Sequence, residues 1–217
     1  MLSPGAAPIR PAIPGIEENK VFTLRNIPDT YRIYDHIKET APRSCAVIGA
    51  GFIGLEMAEN LAERGVHVTV VEGASHVMPP IDMDMAHQVH NYIRAQGIDL
   101  YLGQTCTAMD KDGVILKDGR KIPADMVILS IGVRPDTGFL KDSGIELGAR
   151  GEILVNSYME TSAPDVYALG DAASVRHIVS EKQVLIPLAS PANKQGRIVG
   201  DNLCGRKTAY RQSGSSS

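Results

Sequence analysis

The sequence lacks any uninterrupted apolar run of the ~20 residues that a bilayer helix needs. Its longest apolar stretches, CAVIGAGFIGL and MVILSIGV, are broken or too short, so no membrane span is expected. A charge excess of either sign is missing as well. A net charge of -3 over 217 residues leaves no general attraction for nucleic acid or an anionic bilayer, and local sites must carry any binding. The amino-terminal MLSPGAAPIRPAIPG has neither the basic region nor the unbroken apolar core of a secretory signal. Cysteine is scarce: Cys45, Cys106 and Cys204 stand far apart with no CxxC, which suits free thiols in a reducing cytoplasm. Cys45 opens an apolar strand and reads as a small core residue. The 6 histidines make no zinc constellation. His87 and His90 share a helix face and read as solvated surface, because no carboxylate or third histidine follows at ligand spacing, and no metal is expected.

What is present is an ordinary globular composition, 43% hydrophobic and 22% charged, enough for one large core or two modest ones. Residues 1 to about 28 are rich in proline and glycine and read as loop, with one short strand around Val21–Leu24. Asp29 can cap a helix that presents Ile33 and Ile37 on one face and ends at Pro42. SCAVIGAG is a continuous apolar run of the kind found in a strand buried on both faces. A helix from about Phe52 to Arg64 follows, stopped by Gly65, then the strand VHVTVVE. A second helix, capped by Asp82 and ending at Gly97, aligns Met85, Val89 and Ile93, which reads the methionines as core. The strand IDLYLG completes a β-α-β-α-β order that demands a parallel sheet.

The pattern then changes. Asp112-Gly113 and Asp118-Gly119 are hairpin signals separating TCTAM, VILK and RKIP, which predicts an antiparallel meander over the parallel sheet. ADMVILSIG returns to that sheet as a fourth buried strand. GEILVN, DVYALGD and a helix near Ser190 then read as parts of another α/β layer. The expected fold is therefore α/β, a Rossmann-like sheet with helices on both faces and a β-meander, plus incomplete pieces of a second domain. The expected divisions are a segment and linker over 1–30, a nucleotide domain over 31–151, a second segment over 152–210 and a flexible tail over 211–217.

Gly49-Ala50-Gly51-Phe52-Ile53-Gly54 is a full G-x-G-x-x-G between a predicted strand and a predicted helix. Gly49 permits the tight turn, Gly51 lets the backbone approach a pyrophosphate, and Gly54 lets the helix pack closely on the strand. The free amides and dipole of the helix start favour the phosphates. Glu72 ends the next strand, where a carboxylate accepts hydrogen bonds from adenosine ribose hydroxyls and repels a 2′-phosphate. From Gly73 to His76 no arginine follows to attract one, so NAD(H) is favoured over NADP(H). Gly132, after the fourth strand, is either part of the ligand-binding sheet edge or a loop glycine before a proline turn.

Taken together, VIGAGFIGLE, the meander, SIGVRPDT, TSAPDVYALGDAAS and PLASPANKQGR resemble, in this order and spacing, the pyridine nucleotide-disulfide oxidoreductases. LSPGAAPIRPAIPG is similar to the family segment where the flavin domain passes into the NAD domain, with Ser3-Pro4-Gly5 in place of Ala-Thr-Gly. That variant and PLASPANKQGR look most like the branch of coenzyme A-disulfide reductases, NADH oxidases and per- or polysulfide reductases. The resemblance implies that Asp171, after Gly170, accepts hydrogen bonds from the ribityl hydroxyls of FAD; on the residues alone it is equally a capping aspartate. It further implies that Ser3, Pro4, Gly5, Ala189, Ser190 and Ala192 belong to the FAD site of the intact protein. In that reading Ser190 caps, and Pro191 begins, a helix aimed at the flavin. Glu56 matches a family glutamate near the nicotinamide, although by pattern it is a solvated helix residue.

The family's first G-x-G-x-x-G and the reactive cysteine after it have no counterpart here, nor does its carboxy-terminal dimerisation domain. No catalytic residue is therefore expected in this chain, which reads as an NAD(H)-binding domain flanked by pieces of a flavin domain. The intact protein is expected to be a cytoplasmic homodimer passing hydride from NADH to FAD and on to a disulfide, persulfide or oxygen acceptor. Two other readings stand beside it: a stand-alone NAD-binding or redox-sensing module, and a flavin reductase donating to ferredoxin or a quinone.

Overall fold

A computed structural model describes residues 1–17 and 20–211. In chain order its elements are β1 (Ala6–Pro8), β2 (Val21–Phe22), α1 (Ile27–Thr40), β3 (Ser44–Ile48), α2 (Phe52–Glu63), β4 (His67–Glu72), α3 (Met83–Ala95), β5 (Asp99–Leu102), β6 (Cys106–Asp110), β7 (Gly113–Leu116), β8 (Lys121–Pro123), β9 (Met126–Leu129), β10 (Val133–Pro135), β11 (Ile153–Leu154), β12 (Ala173–Arg176), β13 (Gln183–Val184) and α4 (Ala189–Leu203). The chain forms two compact units, one from Pro8 to Gly132 and one from Met1–Ala7 with Val133–Ser217.

The first unit is built on a five-stranded parallel sheet in the order β2-β9-β3-β4-β5. Its central strands are apolar on both faces because both are covered. On one side Val47, Val68, Val70 and Ile128 pack with Ala58 and Leu61 of α2 and Ile93 of α3. On the other, Ala46, Ile48, Val71 and Val127 pack with Val114, Leu116 and Ile122 of the antiparallel meander β6-β7-β8. The unit reaches back to Pro8, well before residue 31, because β2 pairs with β9 and the Met109 amide donates to the Pro14 carbonyl. It ends at Gly132; residues 133–151 belong to the second unit, where Leu140, Ile153 and Met159 share a core with Ala168 and Val199.

Local detail departs from the sequence reading at several places. The cap of α1 is Asn26, with Asp29 closing a reciprocal capping box. In α3 the inward face is Ala86, His90 and Ile93; Met85 is 57% exposed and His90 only 3%, the reverse of the expectation for both. The helix phase decides this, since 85 lies a quarter turn outside the 86-90-93 stripe. DVYALGD does not form a ladder: Tyr167 and Ala168 make isolated bridges to Glu160 and Leu2. Helix α4 is capped by Leu188, whose backbone is extended, so Ser190 and Pro191 already lie in its first turn. A first-turn proline costs nothing there, because that amide has no intrahelical acceptor. Of the tail expected at 211–217, residues 212–217 lie outside the described residues.

Candidate functional site

A cleft of about 470 Å³ opens in the first unit at the carboxyl ends of β3, β4 and β9, the edge where open parallel sheets take ligands. Gly49, Gly51, Glu72, Gly73 and Gly132 line it, together with Pro79, Gln104, Thr105, Cys106 and Ser130. The three loop glycines have distinct physical tasks. Gly49 holds φ at +103°, and a Cβ there would lie 2.4 Å from the Ser130 carbonyl oxygen. A Cβ at Gly54 would lie 2.0 Å from the Gly49 carbonyl oxygen, so the close seating of α2 on β3 requires glycine. At Gly51 a Cβ would meet nothing within 4 Å, which leaves open space at the helix start. No side chain caps α2, leaving its first-turn amides to an outside acceptor.

The Glu72 carboxylate accepts from the Ala50 amide at 2.7 Å through Oε2 and from the Ala74 amide at 2.8 Å through Oε1. It thereby joins the glycine turn to the exit of β4, and Glu72 is among the residues that line the cleft. Ala50 is fully buried and Gly54 is buried in the first turn of α2, while Phe52 and Ile53 are exposed. Glu56 is exposed on α2, outside the cleft lining. Ser130 carries no signal in the sequence pattern; its single hydroxyl proton is shared between the Ile48 and Gly49 carbonyls, each 3.0 Å from Oγ, and ties β9 to the turn. Burial pushes the Cys106 thiol upward, and Cys45, buried in the core, is pushed up to about 12.

The second unit gathers most of the other candidate positions. Leu2 bridges Ala168 in parallel, its amide donating to the Tyr167 carbonyl and its carbonyl accepting from the Leu169 amide, which ties the start of Ser3-Pro4-Gly5 to the segment before Gly170. Gly170 takes φ +77°, and a Cβ there would meet the Ala192 Cβ at 3.8 Å. Its amide donates to Gln195 Oε1 at 2.7 Å, which ties the Gly170-Asp171 turn to α4. Gln195 is 2% exposed, a buried amide that a lone polar residue on a helix does not announce. Asp171 is half-buried, and among the described residues no donor reaches it, so burial raises its carboxyl above the usual aspartate range. Ala189 and Ser190 stand exposed at the start of α4.

No described helix is long and apolar enough to cross a membrane. The described residues bring no three histidine, cysteine or carboxylate side chains into a metal-sized group.

The class of protein follows from this architecture and its relatives. Residues 1–196 match the family model described as pyridine nucleotide-disulphide oxidoreductase, and the chain belongs to that family of oxidoreductases. It is 38% identical over 214 residues to an NADH oxidase of Methanocaldococcus jannaschii, covering 97% of this chain and 48% of that protein. Among solved structures it resembles reduced Bacillus anthracis CoADR-RHD, with 50% identity, a TM-score of 0.93, and coverage of 96% of this chain and 38% of that one. It also resembles an engineered water-forming NADPH oxidase bound to NADPH, with 33% identity, a TM-score of 0.89, and coverage of 95% and 46%. The chain spans about half the length of the curated relatives it matches.

Proposed function

We propose that this chain is the NADH-binding portion of an FAD-dependent oxidoreductase that passes two electrons to a disulfide, coenzyme A-disulfide, per- or polysulfide, or oxygen acceptor. The observation that carries the reading is the cradle at residues 49–54: an uncapped helix start, open space over Gly51, and an acid at 72 facing the same cleft. The amides of α2 hold the pyrophosphate, Glu72 takes the adenosine ribose hydroxyls, and Gly73, Pro79 and Gly132 border the bound dinucleotide. When bound, FAD supplies the two-electron store for the hydride that NADH gives up. For the flavin, the chain offers a carboxylate at Asp171 that burial leaves without a donor, the situation a set of sugar hydroxyls would relieve. Ser3, Pro4, Gly5, Gly170 and the Ala189–Ala192 turn make up the rest of that contribution.

Preference for NADH over NADPH has its own support. In the engineered NADPH-bound oxidase a Gly→Ala change is followed eighteen positions later by Asp→Ala, at once by Ala→Arg and Met→Ser, and five positions on by Pro→Arg. The same steps counted from Gly54 reach Glu72, Gly73, Ala74 and Pro79, three of which line the cleft. This chain therefore keeps an acid and lacks both arginines at the positions changed to accept NADPH. Calorimetric titration tests the reading: NADH binds, NADPH binds at least about tenfold more weakly, a difference near 1.4 kcal/mol, and Gly51→Glu abolishes NADH binding with an unchanged melting temperature. Equal affinity for the two nucleotides removes the role given to Glu72. NADH binding that survives Gly51→Glu overturns the cradle.

A further inference from the structure

His90 lies 3% exposed under the loop that joins β4 to α3, and the nucleotide mechanism makes no use of it. Its Nε2 accepts a hydrogen bond from the Val77 amide at 3.2 Å, so that nitrogen is unprotonated and the ring proton sits on Nδ1. Val77 is itself fully buried. The next amide, Met78, donates to the Ala50 carbonyl at 2.9 Å, while the Ala50 amide donates to Glu72. Both backbone groups of Ala50, in the middle of the glycine turn, are thus held by the segment from Glu72 to Met78. The anchor of that segment's far end is His90.

We propose that His90 is a positioning residue of the nucleotide cleft: its unprotonated Nε2 holds Val77 and, through Met78 and Ala50, keeps the phosphate-binding turn in its working geometry, and protonation releases it. The inference rests on the dinucleotide reading of the cleft. A proton on Nε2 would set one N–H against another and break the anchor. The groups that face the ring reinforce this. Arg94 and His87 on α3 and His76 in the loop carry positive charge or can acquire it, and the His87 ring stands edge-on to His90 at 5.6 Å. Burial first, and then the Arg94 guanidinium with the neighbouring His87 and His76 rings, hold the His90 imidazole below its ordinary 6.5. The anchor is therefore intact at neutral pH and is lost only in acid, as the pH falls through the depressed value of the buried ring.

The test uses the 217-residue chain and ADP-ribose, which keeps the pyrophosphate and adenosine ribose and survives acid, unlike reduced nicotinamide. The Kd is measured at about pH 8 and at the lowest pH at which circular dichroism still reports the folded chain, because His90 titrates below the ordinary histidine range. The wild type is expected to weaken about threefold or more at the lower pH. His90→Gln keeps an acceptor that does not titrate, and its Kd is expected to change by less than about 1.5-fold. His90→Leu, which has no acceptor, weakens binding several-fold at both values. The protection factor of the Val77 amide in the nucleotide-free chain gives an independent reading, falling in acid for wild type and not for His90→Gln. Equal Kd at the two pH values in wild type, or an unchanged pH response in His90→Gln, overturns the role of His90 and leaves the dinucleotide site standing. No ADP-ribose binding at pH 8 overturns the dinucleotide site itself, and the Val77 protection then reports on the anchor alone.

Discussion

At the scale of single residues, the glycine turn separates positions where the fold itself requires glycine from one, Gly51, where a side chain would meet only open space. Gly49 combines a left-handed backbone with a backbone oxygen where a Cβ would sit. Gly49→Ala is accordingly expected to lower the unfolding free energy by roughly 1–3 kcal/mol, read by urea denaturation, whereas a side chain at Gly51 is expected to leave that free energy unchanged. Glycine spacing made this division legible in advance, as did the acid at the end of β4. The other half of the Glu72 role was not legible, since the Ala50 and Ala74 amides that it accepts from are backbone groups that every residue type carries. His90 was hidden for a related reason. A histidine in an amphipathic helix is spelled the same whether it is wet or buried, and Met85 beside it offered a more apolar candidate for the inner face.

At the scale of elements, the long apolar strands and the helices ended by glycine were readable, as were the short strands β2 within Val21–Leu24 and β11 within GEILVN, while β1, β10 and β13 were not. A two-residue strand such as β13 is fixed by the neighbour it pairs with, β12, rather than by its own sequence. Likewise the segment over residues 165–171 looked like a strand from its apolar content, yet gains only single bridges because little backbone lies alongside it. Helix α1 shows how a terminus can be specified by few atoms. Asn26 accepts from the Asp29 amide at 3.1 Å, and Asp29 accepts from the Asn26 and Arg25 amides and from the Arg32 guanidinium. Partial burial pushes the Asp29 carboxyl up, but Arg32 and the two amides outweigh it and hold it below 3.8. A depressed carboxyl contributes stability that is fully present above its unfolded value and is lost as the pH falls through its folded value. Asn26→Ala is expected to cost about 1 kcal/mol. Asp29→Asn is expected to flatten the acid limb of a melting-temperature profile measured below 3.8.

At the scale of the molecule, every residue lining the nucleotide cleft lies between Pro8 and Gly132, and so do two of the three apolar cores. A chain restricted to residues 8–132 is therefore expected to fold alone and to hold ADP-ribose within about threefold of the 217-residue affinity, less than the 1.4 kcal/mol that marks a tenfold change. Circular dichroism and calorimetry on that piece check it; an unfolded or non-binding product shows that the cleft depends on the outer residues. The outer unit is arranged differently, since Leu2 must meet Ala168 across the whole intervening domain. During synthesis the stretch around Leu2 leaves the ribosome long before its partner exists, while the inner sheet already has all its strands. Assembly is thus ordered in time by the path of the chain: the inner cleft can mature on the nascent polypeptide, and the outer strands wait for translation to bring their mates.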